Sequence, residues 1–240
     1  MPDAGQRLLS LARAAIQRYE MIQPGDHIAV GVSGGKDSVA LLVTLARLRA
    51  FYPVPFTLTA VTLDPGFDGV ETDYTPVTLL CESLGVPHLV RRTRLWEVVF
   101  RERGESNPCS LCARMRRGAL HRAATEAGCN TVALGHHLDD VAETVWMNLL
   151  DGGSFGCFSP CCTLDRRQLR LIRPLVFARE REVAAAVRRQ GLPVVKSRCP
   201  VDGCTNRQQT KELLASLSEH YGPMGDKLLR ALQKAGVDGW

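Results

Sequence analysis

The sequence predicts an α/β protein built on a doubly wound parallel sheet, with a helical C-terminal extension. Short apolar runs alternate with segments of helical periodicity between residues 27 and 150, and strands that alternate with helices pair in parallel through right-handed crossovers. The 240 residues are 45% hydrophobic and 23% charged, which is typical of a globular chain and excludes disorder, collagen-like repeats and coiled coil as the main plan.

Periodicity and turn residues place the elements along the chain. We expect strands at 27–32, 56–63, 86–91, 131–134 and 169–176, and a short β segment at 192–195. We expect helices over 5–20, 38–50, 72–84, 110–127, 139–150 and 179–190, with one or two more beyond Asn206, and an exposed loop from 153 to 162. The predicted division is an N-terminal helix at 1–24, a core at 25–178 and an extension at 179–240.

A glycine-rich loop, Ser33-Gly34-Gly35-Lys36-Asp37-Ser38, joins the first strand to the next helix. Glycines let the backbone approach an anion, and the amides and dipole at a helix N-terminus attract phosphate. A Walker A loop would need glycine at position 30 and Ser or Thr after the lysine. Val30 and Asp37 stand there instead, so the loop predicts a phosphate site of another kind.

A second polar segment, Gly135-His136-His137-Leu138-Asp139-Asp140, follows the strand predicted at 131–134. Doubly wound folds bind ligands at the carboxyl ends of their strands. Asp139 and Asp140 there can hold magnesium or orient a nucleophile. An aspartate at a helix start also caps free amides, so capping is the plainer interpretation of this segment when it is taken alone.

The nine cysteines are an odd number in a chain with no export signal, which favours reduced thiols, metal ligands or catalytic groups over disulfides. Cys109 and Cys112 form a Cys-x-x-Cys pair in a predicted basic helix, a spacing used by zinc, iron-sulfur clusters and disulfide exchange. Zinc bound by this pair with Cys199 and Cys204 is one hypothesis. Cys81 and Cys129 are interpreted as ordinary thiols, and Cys157, Cys161 and Cys162 have no assigned role.

These motifs, together with Ile172-Arg173-Pro174-Leu175, resemble in order and spacing the tRNA 2-thiocytidine synthetase (TtcA) family of PP-loop ATP pyrophosphatases, whose fold is adenine nucleotide alpha hydrolase-like. The resemblance spans roughly residues 25 to 210. It implies ATP-dependent tRNA thiolation, in which a cytidine C2 carbonyl is adenylated and its oxygen is replaced by sulfur. The implied cofactors are ATP, Mg2+ and a 4Fe-4S cluster.

The resemblance also implies roles for individual residues. Asp37, Asp139 and Asp140 would be catalytic, and Cys109, Cys112 and Cys199 would hold the cluster; Cys199 is preferred to Cys204 because it occupies the family position and precedes Pro200. The residues expected to bind ATP and its phosphates are Ser33, Gly34, Gly35, Lys36, Asp37, Ser38, Gly135 and Arg173.

The net charge of the chain and its arginine clusters indicate which partners it could bind. The net charge of +5 is compatible with a polyanionic partner without requiring one, and arginine suits phosphate contacts. Arg114, Arg116 and Arg117 share the predicted helix of the cysteine pair and are the expected tRNA-binding residues. We expect a cytoplasmic protein with no membrane contact. We also expect it to use a sulfur donor, such as a cysteine desulfurase or free sulfide. A homodimer is left open. The alternatives are a small-molecule ATP pyrophosphatase and a zinc-stabilised, non-catalytic nucleic-acid-binding module.

Overall fold

A computed structural model describes residues 3–102, 108–164, 168–199 and 206–240. Its helices are α1 (Ala4–Arg18), α2 (Lys36–Arg49), α3 (Thr75–Ser83), α4 (Pro108–Glu126), α5 (Leu138–Gly152), α6 (Glu180–Arg189), α7 (Asn206–Tyr221) and α8 (Met224–Ala235). Its strands are β1 (Asp26–Gly31), β2 (Phe56–Asp64), β3 (His88–Arg92), β4 (Thr131–Ala133), β5 (Cys161–Leu164) and β6 (Leu169–Ile172). No helix within the described ranges is long and apolar enough to cross a membrane.

The strands form one sheet in the order β3-β2-β1-β4-β6-β5. Every neighbouring pair is parallel except β5 and β6, which are antiparallel at one edge. The chain runs from β1 outward to β2 and β3, then returns across the sheet to β4 on the other side of β1. The loops that follow β1 and β4 therefore flank a topological switch point, the place where open α/β sheets bind ligands.

The core lies on both faces of the sheet, as expected for parallel strands. On one face Ile28 and Val30 belong to a large cluster that also contains buried residues of α1, α2, α5, α6 and α8. On the other face Ala29 and Val61 pack with Ala123 and Ala124 of α4. The doubly wound α/β sheet with helices at the C-terminus is confirmed. The division into residues 1–24, 25–178 and 179–240 stays a prediction.

The segment between α5 and β6 differs from the sequence expectation. The sequence predicts an exposed loop at 153–162, but Cys157 is buried and the next residues enter strand β5, whose Cys161 pairs with Ile172. The four residues of β5 carry no clear apolar alternation. Hydrogen bonds to β6 define this strand, and a partner strand is not visible in local sequence.

Two strand predictions also require correction. The strand predicted at 169–176 ends at Ile172, because Pro174 lacks an N–H and the chain turns there, with the Val176 N–H donating to the Arg173 carbonyl. The β segment predicted at 192–195 joins no strand. Its Val195 N–H donates to the Gly34 carbonyl at 2.9 Å, so this segment lies on the glycine-rich loop.

Candidate nucleotide and sulfur site

The glycine-rich loop is closed by its own serines. The Ser38 hydroxyl donates to the Gly35 carbonyl at 2.8 Å and accepts from the Ser33 N–H at 3.1 Å. Gly34 has φ +86°, a left-handed conformation that favours glycine. These contacts fix a tight turn directly before α2, whose first amides face the space beyond β1.

Lys36 is held by two carboxylates. Its Nζ lies 3.0 Å from Asp37 Oδ2 and 3.1 Å from Glu180 Oε1. Burial alone would lower the pKa of Lys36, but Asp37 and Glu180 outweigh it and raise the pKa. Glu180 also pairs with Lys211 of α7 at 2.5 Å. Burial would raise the pKa of the Glu180 carboxyl, but the contacts with Lys211 and Lys36 outweigh it and lower this pKa to about 2. The ammonium group is thus kept charged beside the loop.

Asp37 has one oxygen with no hydrogen-bond partner among the described residues. Its Oδ1 is buried, and the nearest imidazole nitrogen, His137 Nε2, lies 3.8 Å away, beyond hydrogen-bond distance. A buried carboxylate oxygen without a donor is costly. An oxygen ligand of this kind suits Mg2+, which is bound through one or two carboxylates together with substrate phosphates.

The loop after β4 approaches the glycine-rich loop closely. A Cβ added to Gly135 would lie 3.1 Å from the Asp37 carbonyl carbon and oxygen, so glycine is required for this approach. His137 and Asp140 form a capping box at the start of α5: the His137 N–H donates to Asp140 Oδ2 at 2.9 Å, and the Asp140 N–H donates to His137 Nδ1 at 3.3 Å. The capping interpretation of this segment therefore holds alongside any catalytic one.

Arg173 is buried at the opposite wall. Its Nε donates to His136 Nδ1 at 3.3 Å, its Nη1 donates to the Ser159 carbonyl, and its guanidinium lies 4.7 Å from the centre of the Phe158 ring. Burial, followed by the Arg173 charge, lowers the pKa of His136 to about 4. His136 is therefore neutral at pH 7 and accepts this hydrogen bond.

A cavity of about 640 Å³ lies at the switch point, between the glycine-rich loop, the start of α5 and Arg173. Nine of the sequence-predicted site residues line it: Ser33, Gly35, Asp37, Ser38, Arg116, Arg117, Gly135, Asp140 and Arg173. Gly34, Lys36, Asp139 and Arg114 do not line it. Asp139 instead accepts the Glu180 N–H at 2.6 Å.

The cysteine pair lies on the helix that forms one wall of the cavity. Ala113, Arg116 and Arg117 of α4 line it, and Cys112 directly precedes Ala113. Burial raises the pKa of the Cys112 thiol, Arg116 opposes this, and the charges of Cys199 and Cys109 raise it again. The thiols of Cys109 and Cys199 are therefore near enough to Cys112 to act on it electrostatically.

The donor chemistry of the three cysteines fits an iron-sulfur cluster, because all three are free thiols. Across the described part of the chain, however, no three Cys, His, Asp or Glu side chains lie close enough together to hold a metal ion. Cys204 lies outside the described residues, so the sequence-based preference for Cys199 over Cys204 stays a prediction.

The remaining cysteines have distinct surroundings. Burial raises the pKa of Cys157 to about 12 and that of Cys81 to about 11, so both are protonated structural thiols at neutral pH. Cys129 is also buried. Cys161 faces one core cluster and Cys162 faces the other.

Sequence reasoning missed two residues of this site. Glu180 holds Lys36, and Arg207 of α7 contacts Asp140 at 2.7 Å and Glu143 at 3.2 Å. Both lie in predicted helices far along the chain from the motifs they contact. No local signal distinguishes them from surface charges, since only the packing of α6 and α7 brings Glu180 to Lys36 and Arg207 to the cavity.

The fold and the glycine-rich loop define the class to which the chain belongs. Residues 8–208 match the PP-loop domain family. The chain is 41% identical over 230 residues to a tRNA-cytidine(32) 2-sulfurtransferase of Pelobacter propionicus, covering 95% of this chain and 85% of that protein. It is 40% identical over 221 residues to one of Geobacter metallireducens, covering 91% and 85%. The chain belongs to the tRNA-cytidine(32) 2-sulfurtransferase family.

A solved structure shares the fold. The U34-tRNA thiolase NcsA from Methanococcus maripaludis, solved with its 4Fe-4S cluster, superposes with a TM-score of 0.76 at 24% identity, covering 94% of this chain and 77% of that one. This likeness confirms the sheet and the arrangement of its helices.

Proposed function

We propose that this protein is an ATP-dependent tRNA sulfurtransferase that replaces the C2 oxygen of a cytidine with sulfur. One structural observation carries the proposal beyond family membership. Helix α4 bears Cys109 and Cys112, and its next turns form a wall of the cavity that also contains the glycine-rich loop. A nucleotide bound at the loop and a sulfur-handling centre at the cysteines would therefore share one site.

The first half-reaction is adenylation. Ser33, Gly34, Gly35 and Ser38 hold the pyrophosphate part of ATP, and Lys36 neutralises its charge. The cytosine O2 attacks the α-phosphorus, the bond to the pyrophosphate oxygen breaks, and pyrophosphate leaves. The C2–O bond then carries AMP, which is a far better leaving group than the oxygen of a carbonyl.

Three carboxylates serve the metal and proton steps. Asp37 has the free Oδ1 described above and is the residue best suited to Mg2+. Asp140 reaches the cavity from the capping box of α5. Asp139 accepts the Glu180 N–H outside the cavity lining, so it would act on the site through its neighbour Asp140. When bound, Mg2+ would neutralise phosphate charge and orient the oxygens of ATP.

The second half-reaction replaces AMP with sulfur. Cys109, Cys112 and Cys199 would hold a 4Fe-4S cluster, which when bound would supply a binding position for the incoming sulfur. Hydrosulfide attacks C2 and AMP departs with the C2 oxygen. Holding the two reactants together in one site can lower the barrier by about 7 kcal/mol or more.

The RNA must present one unstacked cytidine to the cavity, and a tRNA loop allows this at low cost. Arg114, Arg116 and Arg117 are all exposed on α4. Arg116 and Arg117 line the cavity, whereas Arg114 does not, so we assign Arg114 to the RNA backbone alone and the other two to phosphates at the cavity mouth. The sulfur donor, a cysteine desulfurase or free sulfide, and a cytoplasmic location belong to the same proposal.

The test uses anaerobically reconstituted protein, ATP, sulfide and tRNA transcripts, with nucleosides identified by mass spectrometry. We expect 2-thiocytidine from a transcript with cytidine at position 32 and none from a matched transcript with uridine there. Pyrophosphate release that tRNA does not stimulate, without any thionucleoside, would indicate a small-molecule pyrophosphatase. Bound zinc with no ATP turnover would indicate a non-catalytic binding module.

A further inference from the structure

Helix α7 contributes a charged side chain to the cavity from outside the sequence motifs. Arg207 lines the cavity together with Ser33 and Gly35 of the glycine-rich loop, and its side chain is 44% exposed. Its Nη1 lies 2.7 Å from Asp140 Oδ1 and 3.2 Å from Glu143 Oε2. Arg207 therefore stands at the boundary between the open cavity and two carboxylates of α5.

The carboxylates orient the guanidinium without using all of its donors. Arginine has five N–H donors in a fixed fork. Among the described residues the hydrogen bonds of Arg207 use Nη1 alone, which leaves Nη2 and Nε to donate to another acceptor. Because Glu143 is buried and rigidly placed on α5, the fork is held in position before any ligand arrives.

The charges that line the cavity favour a polyanion. Its charged side chains are two aspartates, Asp37 and Asp140, and four arginines, Arg116, Arg117, Arg173 and Arg207. Arg173 is fixed by Ser159, His136 and Phe158. Among the cavity arginines, Arg207 is the one whose described partners are all carboxylates. These partners fix the position of its guanidinium, and its Nη2 and Nε remain able to donate.

We infer that Arg207 binds the phosphates of the nucleotide, so that α7 supplies part of the nucleotide site. This inference rests on the proposed use of ATP. Arginine matches phosphate oxygens with two parallel hydrogen bonds, and Asp140 and Glu143 act as positioning residues that aim the fork. A nucleotide bound at the glycine-rich loop would then also contact the helix that follows the Cys199 segment.

The competing explanation is that Arg207 only neutralises Asp140 and Glu143. A double-mutant comparison separates the two explanations. ATP binding is measured by calorimetry in Mg2+-free buffer for the wild type, Arg207→Gln, the carboxylate variant with Asp140→Asn and Glu143→Gln, and the combined variant with all three changes. Arg7→Gln serves as the control, because Arg7 also pairs with a carboxylate, Glu182, at 3.2 Å without lining the cavity.

We expect Arg207→Gln to weaken ATP binding at least about 10-fold, as loss of a charged hydrogen bond does, and Arg207→Lys to recover part of the loss. The combined variant should stay as weak as Arg207→Gln. Restoration of binding in the combined variant, equal loss in Arg7→Gln, or wild-type binding by Arg207→Gln would each overturn the inference. A wild type that binds no ATP would instead contradict the proposed function.

Discussion

Replacement of Gly34 by alanine tests how the glycine-rich loop is built. At φ +86° an alanine costs about 1–2 kcal/mol of backbone strain. Its Cβ would also lie 2.8 Å from Val195 Cβ, an overlap of the kind that costs a further ~1–3 kcal/mol. The sum is about 2–5 kcal/mol, which for a chain of this size lowers Tm by roughly 4–20 °C.

Gly25→Ala is the matched control. Gly25 has φ +79°, and an added Cβ would meet nothing within 4 Å, so this variant carries the backbone strain alone and should lose roughly 2–8 °C in Tm. The assay is thermal unfolding followed by circular dichroism, with ATP affinity measured in parallel. We expect Gly34→Ala to lose more stability than Gly25→Ala and to weaken ATP binding, which Gly25→Ala should not do. Equal Tm losses would refute the argument that Val195 packs against the loop.

Lys36→Ala should weaken ATP use severely while the cluster absorbance persists, because the proposed role of this lysine is to neutralise phosphate and not to bind iron; unchanged AMP formation would contradict this. Alanine at Arg114, Arg116 and Arg117 should lower the salt slope of tRNA affinity by ~0.7–0.9 for each RNA phosphate that the variant no longer neutralises, and a wild-type slope would place the RNA elsewhere. Cys199→Ser should lose most of its iron and its thiolation activity after anaerobic reconstitution, whereas Cys204→Ser should keep both. The reverse result would assign the third cluster ligand to Cys204. Equal loss in both variants would favour a site of four cysteines. Burial, then the Asp140 charge, raises the pKa of Glu143 from 4.5 to about 7, so the folded protein binds more protons than the unfolded chain between these values. The free energy of unfolding should therefore fall as pH rises through this range, by at most about 3 kcal/mol, and denaturant titrations of metal-free Glu143→Gln should lack that fall.

The sequence was most informative where the chemistry is local. A glycine-rich loop between a strand and a helix is defined by neighbours in the chain, because turn geometry and helix amides need no distant partner. Gly34, Gly35 and Ser38 could be found in this way. The Cys109 and Cys112 pair was visible for the same reason, since three residues on a helix place two sulfurs near one face.

Local sequence was least informative where an interaction joins distant segments. Strand β5 exists because it pairs with β6. The segment at 192–195, which the sequence predicts as a short β segment, pairs with none of the described strands. Buried Cys157 looked exposed among glycines and serines. It belongs to a core cluster that also contains Trp240, and its N–H donates to Asp238, so residues far along the chain cover it.

The sequence by itself determined the class of fold, and it predicted the phosphate loop and the candidate ligands for phosphate, magnesium and iron, because each depends on residue types at short spacing. The tertiary structure decided which of them face a common cavity. It separated Asp37 and Asp140, which line the cavity, from Asp139, which is held by the backbone of α6. It also added Glu180 and Arg207, since a charge on a helix surface acquires a role only when packing places its counter-charge within a few ångströms.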